Sequence, residues 1–305
     1  MDPITGAPPV VWCAGLTTLD VVHRADARPG PDQKITASRQ DVAAGGPAAN
    51  AAVTAVALGA RAVLVSALGS GPVAAAARAD LEAHGVLVHD VVGDREADMF
   101  PMAVSAVLVD DATGERSVVS PDGALATAPA ATRTELETLA REHGLPDAVL
   151  LDGHHPAVAR AVMTFLASLE PRPRVVLDAG RWRPFFEELL PAADVAALSA
   201  DFQVPDHDDA VEGVLTLGAR AVVVTHGPDP VEWRDTDGAV GTVEVPGATA
   251  RDTLGAGDAF HGALAAALAR GGELGDAVAL AARVASTRVA HVGPRGWLEH
   301  LEDGW

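Results

Sequence analysis

Short apolar segments alternate with stretches of helical spacing along almost the whole chain, and that alternation narrows the fold more than any other feature. Residues 10–16 read as a strand, 48–58 as a helix stopping at Gly59, 62–68 as a strand, and 73–84 as a helix stopped by Gly85. The rhythm resumes with a strand at 148–151, a helix at 157–169 and a strand at 174–177 that ends in Asp178. Residues 195–198 and 221–225 are further short apolar strands. Apolar strands separated by amphipathic helices imply a parallel sheet covered on both faces. The expected architecture is an α/β three-layer sandwich with a mainly parallel central sheet, one domain over residues 1–305. Two regions break the rhythm, 21–42 and 99–120, where apolar and polar residues alternate. They read as antiparallel strands of a small sheet set outside the main one, a natural lid or contact between two copies of the chain.

The densest chemistry lies in the run Arg251-Asp252-Thr253-Leu254-Gly255-Ala256-Gly257-Asp258-Ala259-Phe260-His261-Gly262. It follows a strand-like segment at 241–245 closed by Pro246, and Phe260, Leu264 and Leu268 then recur at helical spacing. Gly255, Ala256 and Gly257 therefore sit where loop becomes helix. The first amides of a helix lack internal partners, and the dipole is positive at that end. Two glycines let an anion approach that backbone closely. Asp258 falls in the first turn, where a carboxylate would repel a bound phosphate. Its plausible work is to take a proton from a hydroxyl that attacks that phosphate. An aspartate that merely favours a helix start is the plainer reading.

Ligands in parallel α/β sheets bind at the carboxyl ends of the strands. Asp20, placed just past the first strand, is either a clamp for a pair of hydroxyls or an ordinary turn residue. Gly45 and Gly46 precede a helix that carries Asn50, whose amide both donates and accepts and so suits a neutral polyol. A competing pattern is Gly69-x-Gly71-x-x-Ala74 with Asp90 about twenty residues on. It fits the turn of an NAD-dependent oxidoreductase but leaves Gly255–Asp258 and Gly45–Asn50 unexplained. A third class is a sugar- or nucleotide-binding module without activity.

The chain has a net charge of −20, and Lys34 is its one lysine. Such a chain should repel nucleic acid and anionic membranes. Phosphates must then be held by arginine, backbone amides or metal. No apolar run reaches membrane-spanning length, residues 1–9 lack the basic region of a signal peptide, and the lone Cys13 permits no internal disulfide. A cytoplasmic location is expected, with Cys13 a packed core thiol.

The segment Asp252-Thr253-x-Gly255-Ala256-Gly257-Asp258 resembles the signature of the ribokinase-like (PfkB) carbohydrate kinases at every defined position. Gly45-Gly46 with Asn50, and Asp20 upstream, resembles the amino-terminal signature of the same family. The resemblance implies an ATP-dependent kinase acting on a small sugar. Asp258 would be the base, with Gly255, Ala256 and Gly257 around the transferring phosphoryl, and Asp20, Gly46 and Asn50 would bind the sugar. Thr225 and Gly227, in Val224-Thr225-His226-Gly227, resemble the family's phosphate-contacting Thr-x-Gly. Arg251 is placed to reach a phosphate or to stand in solvent. The family resemblance brings magnesium with ATP and often potassium, with Asp252 at the monovalent-cation site and the loop 292–296 bordering that site and the adenine pocket. Where many members carry Asn-x-x-Glu this chain has Leu198-Ser199-Ala200-Asp201-Phe202, so that Ser199 stands for the asparagine and Asp201 is the nearest carboxylate toward a magnesium-bound water. That variant resembles the ketose-kinase branch, which includes ketohexokinase and sulfofructose kinase, and a ketose is the expected acceptor.

Overall fold

The computed structural model describes residues 7–93 and 99–301. Its spine is β1 (Val10–Ala14), buried along its whole length. Alternate side chains of β1 enter opposite cores: Val11 and Cys13 face one, Trp12 and Ala14 the other. A strand apolar on both faces needs a cover on each. Parallel to β1, on one side, run β4 (Arg61–Ser66) and then β5 (Leu87–Asp90). On the other side β8 (Ala148–Leu151), β9 (Arg174–Ala179), β10 (Val195–Ser199) and β11 (Ala221–His226) follow, all parallel. Two antiparallel strands, β12 (Asp229–Asp235) and β13 (Val240–Val243), complete a nine-stranded sheet. Helices α1 (Pro47–Ala57), α2 (Pro72–Ala83), α7 (Ala256–Ala269) and α8 (Leu274–Ala290) cover one face. The other carries α3 (Arg133–His143), α4 (Pro156–Leu166), α5 (Phe186–Leu189) and α6 (Ala210–Thr216). The three-layer expectation holds, and Cys13 is fully buried as a core thiol.

A second, four-stranded sheet stands apart, in the order β3 (Arg39–Gly45), β2 (Thr18–Ala25), β6 (Val104–Asp110), β7 (Arg116–Val119). Its strands lie in or beside the two stretches of broken rhythm, β2 starting three residues before 21–42 and β3 ending three residues after it. One pairing departs from the expectation, because β2 and β6 run parallel. Asp20 also departs: it lies inside β2 of the small sheet, not in a turn after β1. The chain runs from β1 into β2 with only three residues between, too few for the expected turn to reach residue 20. The alternation alone does not mark α3, although its capping box, Thr132 with Glu135, is a helix-start signal in the sequence.

Helices α1 and α7 pack almost backbone to backbone. A Cβ at Gly262 of α7 would lie 2.5 Å from the Ala51 carbonyl oxygen and 2.8 Å from Ala51 Cα. Backbone atoms cannot rotate aside. Gly262→Ala is expected to lower stability by about 1–3 kcal/mol, because overpacking outweighs the roughly 1 kcal/mol that alanine contributes to a helix. Urea denaturation measures it, and a variant as stable as the parent would contradict the packing argument.

Candidate active site

Helix α7 begins at Gly255, which takes a left-handed conformation with φ 69°. An alanine there would be strained, so the glycine fixes the direction in which the helix starts. Asp258, in the first turn, is partly buried. Its Oδ2 accepts a hydrogen bond from Asn50 Nδ2 of α1 at 2.7 Å. Asn50 Oδ1 in turn accepts from Arg295 Nη1 at 3.1 Å, and Arg295 Nη2 donates to Ala44 O at 2.7 Å and Asp80 Oδ2 at 2.9 Å. The guanidinium so fixes which way the amide faces: its NH2 points at Asp258. Asp80, Arg295, Asn50 and Asp258 form one chain of contacts from α2 to α7.

Burial pushes the Asp258 carboxyl up to about 6, and the negative charge of Asp178 at the end of β9 adds to the shift. His261, one turn on from Asp258, is also buried, with Nδ1 2.9 Å from Asp178 Oδ2. Burial opposes charge on the imidazole, but Asp178 outweighs it and holds His261 above its ordinary range. A pair of carboxylates with a histidine against one of them thus lies under the turn that starts α7. A carboxyl poised near neutrality fits proton transfer better than an ordinary aspartate.

Asp20 is buried too, and desolvation raises its carboxyl against the pull of Thr18, Ser105 and Arg295. Thr18 Oγ1 donates to its Oδ1 at 2.6 Å. The carboxylate occupies the place a side chain would take at Gly45, whose Cβ would come within 2.1 Å of Asp20 Oδ2. Gly46, with φ 93°, caps α1, and a Cβ there would meet Leu16 O at 2.5 Å. Gly45 and Gly46 therefore let the two strands and the helix close around Asp20. One cavity gathers Asp20, Asn50, Gly255, Arg288, Arg295 and Trp297.

A larger cavity, about 510 Å³, opens on the other side of the turn. Ala256, Gly257, Thr225, Gly227 and Arg116 line its polar end, and Phe260, Val231, Ala282, Ala285 and Val289 its apolar wall. The two cavities meet across residues 255–257, at the start of the helix, where the Ala256 amide makes only a long bond of 3.4 Å to Thr253 O.

The structure therefore brings together Asp258, Gly255, Ala256, Gly257, Asp20, Asn50, Thr225 and Gly227. Asp258 lines neither cavity itself and reaches the polar one through Asn50, and Gly45, Gly46, Asp252, Ser199, Asp201 and Arg251 line neither. Ser199 Oγ donates to Gly180 O at 2.9 Å, while Asp201 and Arg251 are exposed. The carboxylate of Asp252 is fully buried beneath the turn. The loop 292–296 also differs from expectation. Its Pro294 and Arg295 face the cavity of Asp20, and α8 supplies the wall of the larger one. Asp178 and Arg295 escape a reading by motif because they come from separate elements, and His261 stands within the run 251–262 without a role in the signature. Asp90 is accounted for structurally: its carboxylate accepts from the amides of Leu68, Gly69 and Val92 and pairs with Arg78. The pattern at Gly69, Gly71 and Ala74 is a turn held by that aspartate, and the dinucleotide reading gains no support. Among the described residues no cluster of three or more His, Cys, Asp or Glu is placed to hold a metal ion. No described helix is long and apolar enough to cross a membrane.

Residues 10–300 match the sequence profile of the pfkB family carbohydrate kinases. The ATP-dependent ribose-1-phosphate kinase of Halopiger xanaduensis is 33% identical over 265 residues, 82% of this chain and 81% of that protein. The ribokinase of Bacillus subtilis is 26% identical, over 92% of this chain and 93% of its own. The structure of Arabidopsis thaliana ribokinase complexed with ribose and ATP shares the fold, with a TM-score of 0.74 at 22% identity over 96% and 98% of the two chains. The chain belongs to the pfkB family of carbohydrate kinases, phosphotransferases with an alcohol group as acceptor.

Proposed function

We propose that the chain is one catalytic domain that transfers the γ-phosphoryl group of ATP to a hydroxyl of a small sugar. The observation that carries this is the meeting of two cavities at residues 255–257, with Asp258 joined by Asn50 to the polar one. ATP occupies the larger cavity, its phosphates toward Thr225, Gly227 and the amides of Ala256 and Gly257. The sugar lies between Asp20 and Asn50. Asp258 takes the proton from the attacking hydroxyl, and the amides of the helix start hold the charge that develops on the phosphoryl group. Each well-placed donor of that kind contributes roughly 3–4 kcal/mol. A magnesium ion bound with the nucleotide would neutralise charge on its phosphates. Such an ion needs few protein ligands, and Asp201, exposed beyond β10, would reach it through water. Arg251, also exposed, is the arginine nearest the turn in sequence and would meet phosphate from outside, while Ser199 supports the strand end through Gly180.

The acceptor is an uncharged sugar. Two arginines line the cavity of Asp20: Arg295 gives Nη1 and Nη2 to Asn50, Ala44 and Asp80 and keeps only Nε without a partner, while Arg288 is turned to Asp252 and His291. With Asp20 and Asp258 also at hand, the cavity repels a sugar phosphate. A ketose fits the variant at Ser199 and Asp201. A panel of ketoses, ribose and ribose 1-phosphate, read as ADP release, tests this. Turnover confined to ribose 1-phosphate overturns the uncharged-sugar reading.

The small sheet is proposed as a lid and as the contact of a homodimer. Val42, Val21, Ala106 and Val119 stand in register across its four strands, and Val42 and Val119 are 51% and 77% exposed. Val119→Glu should convert a dimer to a monomer in light scattering; a parent that is itself monomeric removes the proposal. Repulsion of nucleic acid and of anionic membranes follows from the charge of −20, and a cytoplasmic setting completes the proposal.

Asp258→Asn separates chemistry from stability. Turnover should fall at least ~10²-fold with ATP affinity retained. Because the folded carboxyl titrates near 6, above its ordinary value, ionising it costs the fold stability as pH rises through that range. Removing the charge should then stabilise the protein at neutral pH by roughly 1–3 kcal/mol. Turnover of the parent should rise with pH through about 6 and level off above it. Near-normal turnover in the variant would sink the assignment.

Asp20→Ala should lower kcat/KM for the sugar about 10–10²-fold, since the sugar hydroxyls are left unpaired, with ATP affinity unchanged. If the melting temperature alone moves, Asp20 is a structural residue.

A further inference from the structure

The family resemblance places a monovalent cation beside Asp252, and the donor set here does not fit one. Asp252 is fully buried. Its Oδ1 accepts from the Leu254 amide at 3.1 Å and its Oδ2 from the Gly293 amide at 2.9 Å. Two buried guanidinium groups flank the same carboxylate: Arg288 Nη2 is 3.6 Å from Oδ1 and Arg24 Nη1 is 3.7 Å from Oδ2. The neighbouring carbonyls are engaged as well. Arg288 Nη1 donates to Asp252 O at 3.4 Å and His291 O at 3.1 Å, and Arg24 Nη2 donates to Arg251 O at 3.0 Å. A potassium ion needs a shell of oxygens with free lone pairs. Each of these five oxygens already faces an N–H donor.

Charge gives the same answer. Arg24 is also paired with Asp111 at 2.8 Å, so the four groups Arg24, Asp111, Arg288 and Asp252 balance to zero. A further positive ion would stand among two guanidinium groups in a buried setting, where repulsion is screened far less than in water. The three elements that the arginines join are the ones a cation would have to hold: the small sheet through Arg24, the turn that starts α7 through Asp252, and the loop after α8 through His291 and Gly293.

We infer that Arg24 and Arg288 take the place of a monovalent cation beside Asp252, and that phosphoryl transfer by this chain is independent of potassium. The inference rests on the sugar-kinase reading, and its first test does not. The melting temperature of the parent protein, alone and with ATP, is measured in potassium chloride and in choline chloride at equal ionic strength. Equal values are expected, because an ion that binds only the folded state raises the melting temperature. A rise specific to potassium overturns the inference whether or not any sugar is turned over. In the kinase assay the parent should change less than about twofold between the two salts, below the energetic scale of a lost contact. Arg288→Met should lose ~10–10²-fold in turnover through a displaced turn and regain part of it with added methylguanidinium. A folded Arg288→Met enzyme with parental turnover also overturns the inference. If that variant does not fold, the salt comparison on the parent still decides.

Discussion

The hydrogen bond from Asn50 to Asp258 depends on how closely two helices approach. Helix α1 meets α7 where Gly262 lies against Ala51 and Thr54, with no side chain on the glycine, so that backbone nearly touches backbone. A larger residue at that seam would part the helices and carry the amide away from the carboxylate. The proposed catalytic arrangement is therefore a product of core packing. The glycines at 45, 46 and 255 extend the same principle to the site, each leaving room for a neighbouring group or a backbone direction that a side chain would deny.

Much of this is legible in the chain. The alternation of apolar strands and helices specifies the layered sheet because both faces of β1 must be covered. The run from Asp252 to Asp258 locates the helix start and its carboxylate. Sequence does not show that Asp178 lies against that carboxylate, since it comes from β9 some eighty residues earlier; His261, three residues on in α7, is within reach of a helical reading but not its contact with Asp178. Asp20 is legible as a residue but not as part of a strand, because the strand that holds it belongs to a sheet whose pairing is non-local. Arg295 lies in a loop that the family resemblance assigns to the opposite cavity. In each case what is missing is a distance between segments far apart in the chain.

The electrostatics of the site follow from having few cations. With a single lysine in the sequence, positive charge near the centre comes from arginines that are paired and aimed. Arg295 orients an amide, and Arg24 and Arg288 hold a buried carboxylate. None of the three is left as a loose point charge, which keeps the pocket around Asp20 polar without making it cationic.

The hairpin between β6 and β7 grips the turn that starts α7 from outside. Gly114 O accepts from the Thr253 amide at 3.1 Å, Arg116 Nη1 donates to Thr253 O at 3.0 Å, and Leu254 packs against Val22, Val107 and Val109 of the small sheet. Sheet and turn are thus mechanically geared. On the proposed function, any rocking of the sheet would carry the amides of the helix start with it, so that admitting a sugar and aligning the helix start would become one movement, and a molecule wedged beneath the hairpin would stall both at once.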